Sequence, residues 1–427
     1  MTIPSSGGFS VATVNTDMTR TSNNPLTLGS DAFRVLCRKL TGALSMADAR
    51  GRSASGRYVS PVLTRPTAGI SAGGGGDSCA ITPDGSTIVL ANSYDQKYSA
   101  PSWRGAAYIY KYTKSTDTWT GPSVVGCTLG TNAFGVREQS VSINSAGTRI
   151  VIGADGIGFT TISWNGSAWS QSGTIPGNGV GFSVSLSDDG NTMAISNPVE
   201  SGNPTTYTQG AVYVYVWSGS NWTLQQKIKP SATISYDHTF GRTVALSSDG
   251  DTLFIFNGQD RCGTASIRGS VYVYTRVSGV WSQQAYVPVY PTDSIATGLW
   301  TRRDAAEFVL VTDTTLSVYR KVTGTWTKVQ SISAPSSKVA TTQFGGNSVS
   351  ISTDGKYMLV VDGYDYTYGA VNKVHSYAKD SSGNWFYQGT FSNTPASVGQ
   401  GRLNQDGSIG VLSSGSWYTF VGYIFDK

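Results

Sequence analysis

Residues 240–257 read FGRTVALSSDGDTLFIFN, and residues 269–287 read GSVYVYTRVSGVWSQQAYV. Each stretch holds two runs of β-branched and aromatic residues with a turn between them. In the first stretch the turn is Asp249-Gly250, where glycine accepts the positive φ of a tight hairpin turn. In the second stretch the turn ends at Trp281. The two stretches therefore predict two consecutive β-hairpins, which together make four antiparallel strands.

This pair of hairpins recurs along the chain. The Asp-Gly turn is found at Asp84, Asp189, Asp249, Asp354 and Asp406, with Ala146-Gly147 as a weaker copy. The second turn ends in tryptophan at Trp119, Trp169, Trp222, Trp281, Trp326 and Trp385. Successive tryptophans are 50, 53, 59, 45 and 59 residues apart. Four strands and their connections fit this period, which predicts the blades of a β-propeller.

An apolar residue follows each tryptophan after six residues, at Val125, Ile175, Ile228, Val287, Ile332 and Phe391. Side chains alternate between the two faces of a strand, so an even offset puts both residues on the same face. We expect both to be packing residues.

The number of blades depends on the two ends of the chain. Six complete units cover about residues 69–393, although the fifth, at Trp300–Glu307, lacks the Asp-Gly turn. Residues 399–427 supply three more strands, and residues 58–63 form an unassigned strand that could close the last blade as its outer strand. The predicted fold is all-β: a seven-bladed β-propeller over residues 57–427, closed between the N- and C-termini, with a short helical segment in residues 1–56.

Composition excludes several functions. Only 13% of residues are charged, and there are 51 glycines, as expected for an all-β chain. The net charge of +5 lies entirely in residues 1–65, and the rest holds 23 basic and 23 acidic residues. A neutral body argues against nucleic-acid binding by the propeller. No apolar run is long enough to span a membrane. Cysteines with no metal-ligand spacing predict free thiols, at Cys37, Cys79, Cys127 and Cys262.

The order Phe-Gly, Ser-Val-Ser-Leu-Ser, Asp-Gly and Gly-Ser-Val-Tyr-Val-Tyr resembles the FG-GAP repeats of integrin-α-type propellers. Phe134-Gly135, Phe240-Gly241 and Phe344-Gly345 carry the first element. The resemblance covers roughly residues 69–427 and implies the fold. Calcium-binding members carry an Asp-x-Asp-x-Asp-Gly loop, whereas the turns here hold one or two carboxylates, as in Ser187-Asp188-Asp189-Gly190. We therefore predict no structural calcium, no other metal and no cofactor.

The N-terminal segment carries two helix starts. Ser30 can cap a helix that presents Phe33, Leu36 and Leu40, and Ser45–Asp48 is a possible capping box. Residues 25–53 resemble a short segment that recurs in tailed-bacteriophage virion proteins. That resemblance implies an anchor to other virion proteins, with candidate contacts at Phe33, Leu36, Leu40, Met46, Arg50 and Arg52. The alternative is a helical plug against the propeller's own face.

Long loops join the second strand of a blade to the third, on the face opposite the Asp-Gly turns. Loops on a rigid scaffold often carry binding sites, and Tyr, Trp and Arg anchor interfaces or stack on sugars. The candidate binding residues are Tyr94, Tyr98, Trp103, Tyr207, Arg261, Arg268, Tyr364, Tyr366 and Tyr368. The alternative is that these side chains pack on neighbouring loops.

Little in the sequence suggests catalysis. The chain has two histidines: His375 lies in a predicted strand, where a filler role is favoured over a base, and His238 has no nucleophile motif nearby. The sequence therefore predicts no enzyme. The resemblance of residues 25–53 implies a bacteriophage virion structural protein, assembled in the host cytoplasm, whose propeller serves virion assembly or contact with a host-surface glycan or protein. The alternative is a propeller that binds or cleaves a surface carbohydrate, using carboxylates from distant loops.

Overall fold

A computed structural model provides the structure of the chain. It describes residues 76–414 with the exception of residues 93–104, 114–115, 117, 127–138, 155–156, 177–179, 202–206, 231–237, 263–265, 267, 290–294, 313, 337–342, 347, 364–372 and 392–397. Within these described residues every regular element is a β-strand, and no helix occurs.

The first three blades each contain four antiparallel strands in sequence order. Blade one consists of β1 (Gly76–Ile81), β2 (Thr87–Asn92), β3 (Ala106–Thr113) and β4 (Thr118–Gly126). Blade two consists of β5 (Val141–Ile143), β6 (Arg149–Ala154), β7 (Gly158–Trp164) and β8 (Trp169–Pro176). Blade three consists of β9 (Val184–Leu186), β10 (Thr192–Asn197), β11 (Ala211–Trp217) and β12 (Trp222–Ile228).

Blades four to six repeat this arrangement. Blade four consists of β13 (Phe240–Leu246), β14 (Thr252–Asn257), β15 (Ser270–Val277) and β16 (Val280–Pro288). Blade five consists of β17 (Gly298–Thr301), β18 (Glu307–Val311), β19 (Thr315–Val322) and β20 (Thr325–Ser333). Blade six consists of β21 (Ser348–Ile351), β22 (Tyr357–Val361), β23 (Val374–Lys379) and β24 (Trp385–Thr390).

Two further strands, β25 (Val398–Leu403) and β26 (Gly410–Ser414), form a two-stranded sheet between blades six and one. The side-chain oxygen of Gln400 accepts hydrogen bonds from the Ser78 hydroxyl at 3.3 Å and the Cys79 N–H at 3.4 Å. On the other side, the Leu403 N–H donates to Ser350 Oγ at 2.9 Å. This sheet therefore closes the ring between its two neighbours.

The expectation of seven blades is wrong: the described residues form six four-stranded blades. Within the described part of the chain, the β25–β26 sheet packs against both of its neighbours. Val411 packs with Leu90 of blade one, and Leu412 packs with Leu359 of blade six. The strands expected to complete a seventh blade, at residues 58–63 and 418–425, lie outside the described residues. The predicted helical segment of residues 1–56 does so as well.

The turn between the first two strands of a blade is held by its own side chains. In blade six, Ser352 Oγ donates to Asp354 Oδ1 at 2.7 Å and accepts the Tyr357 N–H at 3.0 Å. The same carboxylate accepts the Lys356 N–H at 3.1 Å, and Gly355 adopts a φ of 71°. In blade five, which lacks the glycine, Ala305 adopts the positive φ of 59° instead. The predicted Asp-Gly hairpins are thus confirmed. The fifth blade forms the same turn, with Ala305 in the position of the glycine.

These turns predict that acid destabilises the protein. Burial alone would raise the pKa of Asp354, but the Ser352 hydroxyl and the Lys356 N–H outweigh it, so this pKa lies below the usual 3.8. The pKa values of Asp84 and Asp189 are lowered in the same way. Because the folded-state pKa values lie below the unfolded value, the stabilisation is present above pH 3.8 and is lost as the pH falls below it.

We therefore expect the urea midpoint of the wild-type chain to decrease when the pH is lowered from 5 to 2.5. The decrease should be smaller in the triple variant Asp84→Asn, Asp189→Asn, Asp354→Asn. The asparagines keep the turn geometry but do not titrate. Equal falls in the two proteins would contradict this assignment.

Serines on the innermost strands link neighbouring blades. Ser142 Oγ accepts the Leu186 N–H at 3.0 Å, and Ser185 Oγ accepts the Leu246 N–H at 2.9 Å. The alternating Val and Ile residues of the same strands pack between the blades instead, as Val141 does. The Ser-Val-Ser pattern therefore marks the strands that line the central channel.

The expected placement of each tryptophan and its apolar partner is wrong. Trp281 packs with Leu253 and Val212, toward blade three, whereas Val287 packs with Leu299, toward blade five. The cause is a bulge: Val273 pairs with Ala285 and Tyr274 with Gln283, which leaves one residue of β16 unpaired. Register shifts occur between the third and fourth strands of all six blades. An extra residue moves the following side chains to the opposite face.

Candidate functional site

Three of the predicted binding residues lie in the described part of the chain. Arg261 and Arg268 belong to the loop between β14 and β15, and Tyr207 belongs to the loop between β10 and β11. All three are half-buried. The other candidates lie outside the described residues: Tyr94, Tyr98, Trp103, Tyr364, Tyr366 and Tyr368, together with the anchoring residues Phe33, Leu36, Leu40, Met46, Arg50 and Arg52.

The two arginines flank a buried carboxylate. Asp260 Oδ2 accepts hydrogen bonds from Ser270 Oγ at 2.6 Å, Tyr286 OH at 3.1 Å and Tyr272 OH at 3.3 Å. Its backbone carbonyl accepts the N–H groups of Arg268 and Gly269. Asp260 therefore anchors the loop to the blade. Because the partners of its side chain are hydroxyl groups, we interpret its role as structural.

Blade three has a carboxylate in the corresponding place. Glu200 accepts a hydrogen bond from the Tyr213 hydroxyl, and it pairs with Lys227 and with Lys229 Nζ at 3.0 Å. Tyr213 and Lys227 are opposite each other on the third and fourth strands, as Tyr272 and Tyr286 are in blade four. The fold thus places an acidic side chain against a cross-strand polar pair in more than one blade.

In blade six the cross-strand pair is His375 and Thr390, and the acidic residue is Asp362. His375 Nε2 lies 3.1 Å from Asp362 Oδ2, and His375 Nδ1 lies 2.7 Å from Thr390 Oγ1. The His375 and Asp362 side chains are 0% exposed, while Thr390 is half-buried. The three groups therefore form a relay from a buried carboxylate, through an imidazole, to a partly accessible hydroxyl.

The proton positions in this relay depend on the tautomer of His375. An ionised carboxylate only accepts, so the neutral tautomer that serves the relay carries its proton on Nε2. In that tautomer Nδ1 has a lone pair and can accept the proton of the Thr390 hydroxyl. This is the arrangement that activates a hydroxyl in nucleophilic catalysis, where the carboxylate orients the imidazole and stabilises its charged form.

Aromatic rings surround the relay. The ring of Phe344 lies edge-on to His375 with centroids 5.8 Å apart, and the Tyr377 ring packs at 5.6 Å from Tyr387. Tyr387 is 43% exposed, and its hydroxyl lies 2.6 Å from Thr390 Oγ1. Burial, together with the charges of Tyr387 and Asp362, raises the pKa of Tyr377 above its ordinary value. Tyr387 therefore places a second hydroxyl at the outer end of the relay.

The second histidine has a different environment. His238 Nδ1 lies 2.9 Å from the Asn257 side-chain nitrogen, which is a donor, so this imidazole accepts from an amide. The filler role expected for His375 is joined by a polar one, and Asp362 and Thr390 were not among the residues predicted from the sequence. No local motif connects these three residues, since Asp362 and Thr390 lie 13 and 15 positions from His375. Only the strand register brings them together.

Two further observations concern ions and membranes. Among the residues that the structure describes, no three side chains of the His, Cys, Asp or Glu type gather as a metal site would require. In the same part of the chain, no helix has the length and apolar character needed to cross a bilayer.

No family model and no curated protein sequence matches the chain. Solved structures do match. The periplasmic gluconolactonase of Pseudomonas aeruginosa superposes with a TM-score of 0.54 at 15% identity, over 79% of this chain and 96% of that one. A putative 6-phosphogluconolactonase of Bacteroides fragilis gives 0.51 at 14% identity, over 74% and 84%. The Cps50 (Swd1) β-propeller domain of Myceliophteria thermophila gives 0.51 at 9% identity, over 82% and 96%.

These matches define the class of protein as a β-propeller and correct the functional prediction. The expectation of a non-enzymatic bacteriophage structural protein is wrong, because the similar structures include proteins named as lactonases. The expectation that the chain is not an enzyme is wrong for the same reason. No family model or curated relative supports FG-GAP repeats or bacteriophage similarity. The virion location and the partners of residues 1–56 stay untested predictions.

Proposed function

We propose that this protein is a hydrolase that opens cyclic esters, with Asp362, His375 and Thr390 as its catalytic relay. The observation that carries the proposal is the continuous hydrogen-bond chain from a buried carboxylate to a half-buried hydroxyl. The substrate class is suggested by proteins of similar fold that are named gluconolactonase and putative 6-phosphogluconolactonase. A sugar lactone is therefore the first substrate to test.

The relay supports a two-step ester hydrolysis. Thr390 Oγ attacks the lactone carbonyl carbon while its proton passes to His375 Nδ1, and the Asp362 carboxylate stabilises the imidazolium. The ring C–O bond then breaks, and the leaving alkoxide takes the proton from His375. Water hydrolyses the resulting threonine ester by the same route, which releases the hydroxy acid and restores the hydroxyl.

Tyr387 completes the site on the solvent side. Its hydroxyl lies 2.6 Å from Thr390 Oγ1, the attacking oxygen. The negative charge of the tetrahedral intermediate develops on the former carbonyl oxygen of the lactone, so the phenol hydroxyl stabilises this oxyanion only after it turns from Thr390 to the substrate. The phenol ring also lies beside the imidazole and is tilted to it by 55°, with centroids 6.3 Å apart.

The test is hydrolysis of glucono-δ-lactone by the full-length chain, followed in a pH-stat and corrected for spontaneous opening. We expect acid release above background from the wild-type protein and loss of that excess in His375→Gln and Thr390→Val. His238→Gln is the matched control, because it changes the other buried histidine, and we expect it to keep the activity. Background rates for the wild-type chain, or equal rates for wild type and His375→Gln, would refute the proposal.

A further inference from the structure

A second candidate site lies on the axis of the propeller, away from the relay of blade six. Residues on or next to the innermost strands of all six blades and of the β25–β26 sheet line an open cavity of about 150 Å³. One water needs roughly 10–15 Å³ on such a measure, so there is room for a small polyatomic ligand. Gln139 of blade two reaches across the axis and donates to the Leu299 carbonyl of blade five at 2.9 Å. Gln139 therefore forms part of the wall.

Three serine hydroxyls in the wall present donors. Ser142, Ser185 and Ser350 each accept a backbone N–H from the next sheet along the ring, at 3.0, 2.9 and 2.9 Å. Accepting that bond leaves the hydroxyl proton for a different partner. All three residues line the cavity. The wall thus offers O–H groups to a ligand that accepts hydrogen bonds.

Two arginines add positive charge. The Arg402 guanidinium lies over the Trp300 ring, 4.7 Å from its centroid, and its Nη1 donates to the Gly401 carbonyl at 3.0 Å. Arg402 and Trp300 both line the cavity. Arg303 pairs with Asp188 at the level of the turns, so part of its charge is compensated. Its Nε–H, however, is buried and has no acceptor among the described residues. A guanidinium held in this way binds carboxylate or phosphate oxygens well.

The described residues that line the cavity include no Asp or Glu. Donors and cations around one cavity favour an anion and disfavour a cation, because none of the described lining residues is a carboxylate that could balance a positive ligand. The geometry points to a binding site for a small oxyanion, a phosphate or a carboxylate, in the central channel, with Arg402 as its principal charged contact. This site is independent of the proposed lactonase activity.

The test is isothermal titration of the full-length chain with sodium phosphate and, separately, with sodium gluconate, at constant ionic strength set by sodium chloride. We expect saturable binding of one anion per chain. The variant Arg402→Met, which keeps a side chain over Trp300, should weaken binding by about tenfold or more, since it removes a charged hydrogen-bond donor. Arg402→Lys keeps the charge and should bind with intermediate affinity. The preferred anion distinguishes a phosphate site from a carboxylate site.

Two controls separate this site from other effects. Arg276 also packs beside a tryptophan, with its guanidinium 5.4 Å from the Trp281 ring, but it does not line the cavity. Arg276→Met should therefore bind the anion as the wild-type chain does, and so should His238→Gln, whose side chain does not line the cavity either. Absence of saturable binding for both anions would overturn the proposal. Unchanged affinity in folded Arg402→Met and Arg402→Lys, or equal weakening in Arg276→Met, would also overturn it.

Discussion

Replacing Glu307 by glutamine is expected to lower the free energy of unfolding by about 3–5 kcal/mol, because the substitution leaves two cations without their buried counter-charge. The Glu307 side chain is 1% exposed and lies 2.6 Å from Arg320 Nε and 2.9 Å from Lys379 Nζ. Its other oxygen accepts the Trp385 indole N–H at 3.0 Å. Burial lowers the pKa of Lys379, and the Glu307 carboxylate opposes that effect. This carboxylate therefore joins blades five and six.

The measurement is urea unfolding of wild type, Glu307→Gln and Glu200→Gln. Glu200 is the matched control, since it also pairs with two lysines, but its side chain is 15% exposed and the lysines are 36% and 39% exposed. Exposed pairs contribute at most about 1 kcal/mol, so Glu200→Gln should cost far less than Glu307→Gln. If both variants lose the same free energy of unfolding, burial does not determine how much the Glu307 ion pairs contribute to stability.

Replacing Asp362 by asparagine is expected to reduce kcat for lactone hydrolysis by about 10³–10⁴-fold while the protein stays folded. The amide can donate to the imidazole, which favours the tautomer with its proton on Nδ1. That tautomer cannot accept the Thr390 proton, so the nucleophile loses its base. The pair is 0% exposed, so water has little access to replace the lost interaction.

Asp260→Asn is the matched control for this variant. It changes a buried aspartate at the same end of blade four, where the partners are hydroxyl groups and no imidazole. We expect Asp260→Asn to lower the thermal midpoint but to keep the lactonase activity. If Asp260→Asn loses activity to the same extent as Asp362→Asn, the loss would reflect general loop disorder, and the relay would not be responsible.

The hairpins could be predicted from the sequence because each depends on residues a few positions apart. Ser352, Asp354 and Gly355 form their turn through contacts within five residues. The same holds for Asp304 and Ala305, although the glycine is missing there. Free thiols at Cys79 and Cys262 are also confirmed, and burial raises the pKa of Cys79 to about 11.

The candidate site could be predicted only in part. Arg261 and Arg268 lie in the loop that contains the buried Asp260. Asp260, which accepts hydrogen bonds from three hydroxyl groups, was not predicted from the sequence. The relay was not predicted because its three residues lie on or next to different strands. Asp362 follows β22, His375 lies at the start of β23, and Thr390 ends β24. Two of these three residues, Asp362 and Thr390, are of common types without a recognisable spacing.

By itself, the sequence determined the all-β class, the four-stranded repeat and its turns, because strand period and turn chemistry are local properties of the chain. The tertiary structure alone decided the number of blades, the face to which each Trp and its partner turn, and the meeting of Asp362, His375 and Thr390. These features depend on register, bulges and packing between strands far apart in the chain. One extra residue in each fourth strand relative to the third, as in β16, was enough to reverse a pattern that the sequence alone had made look regular.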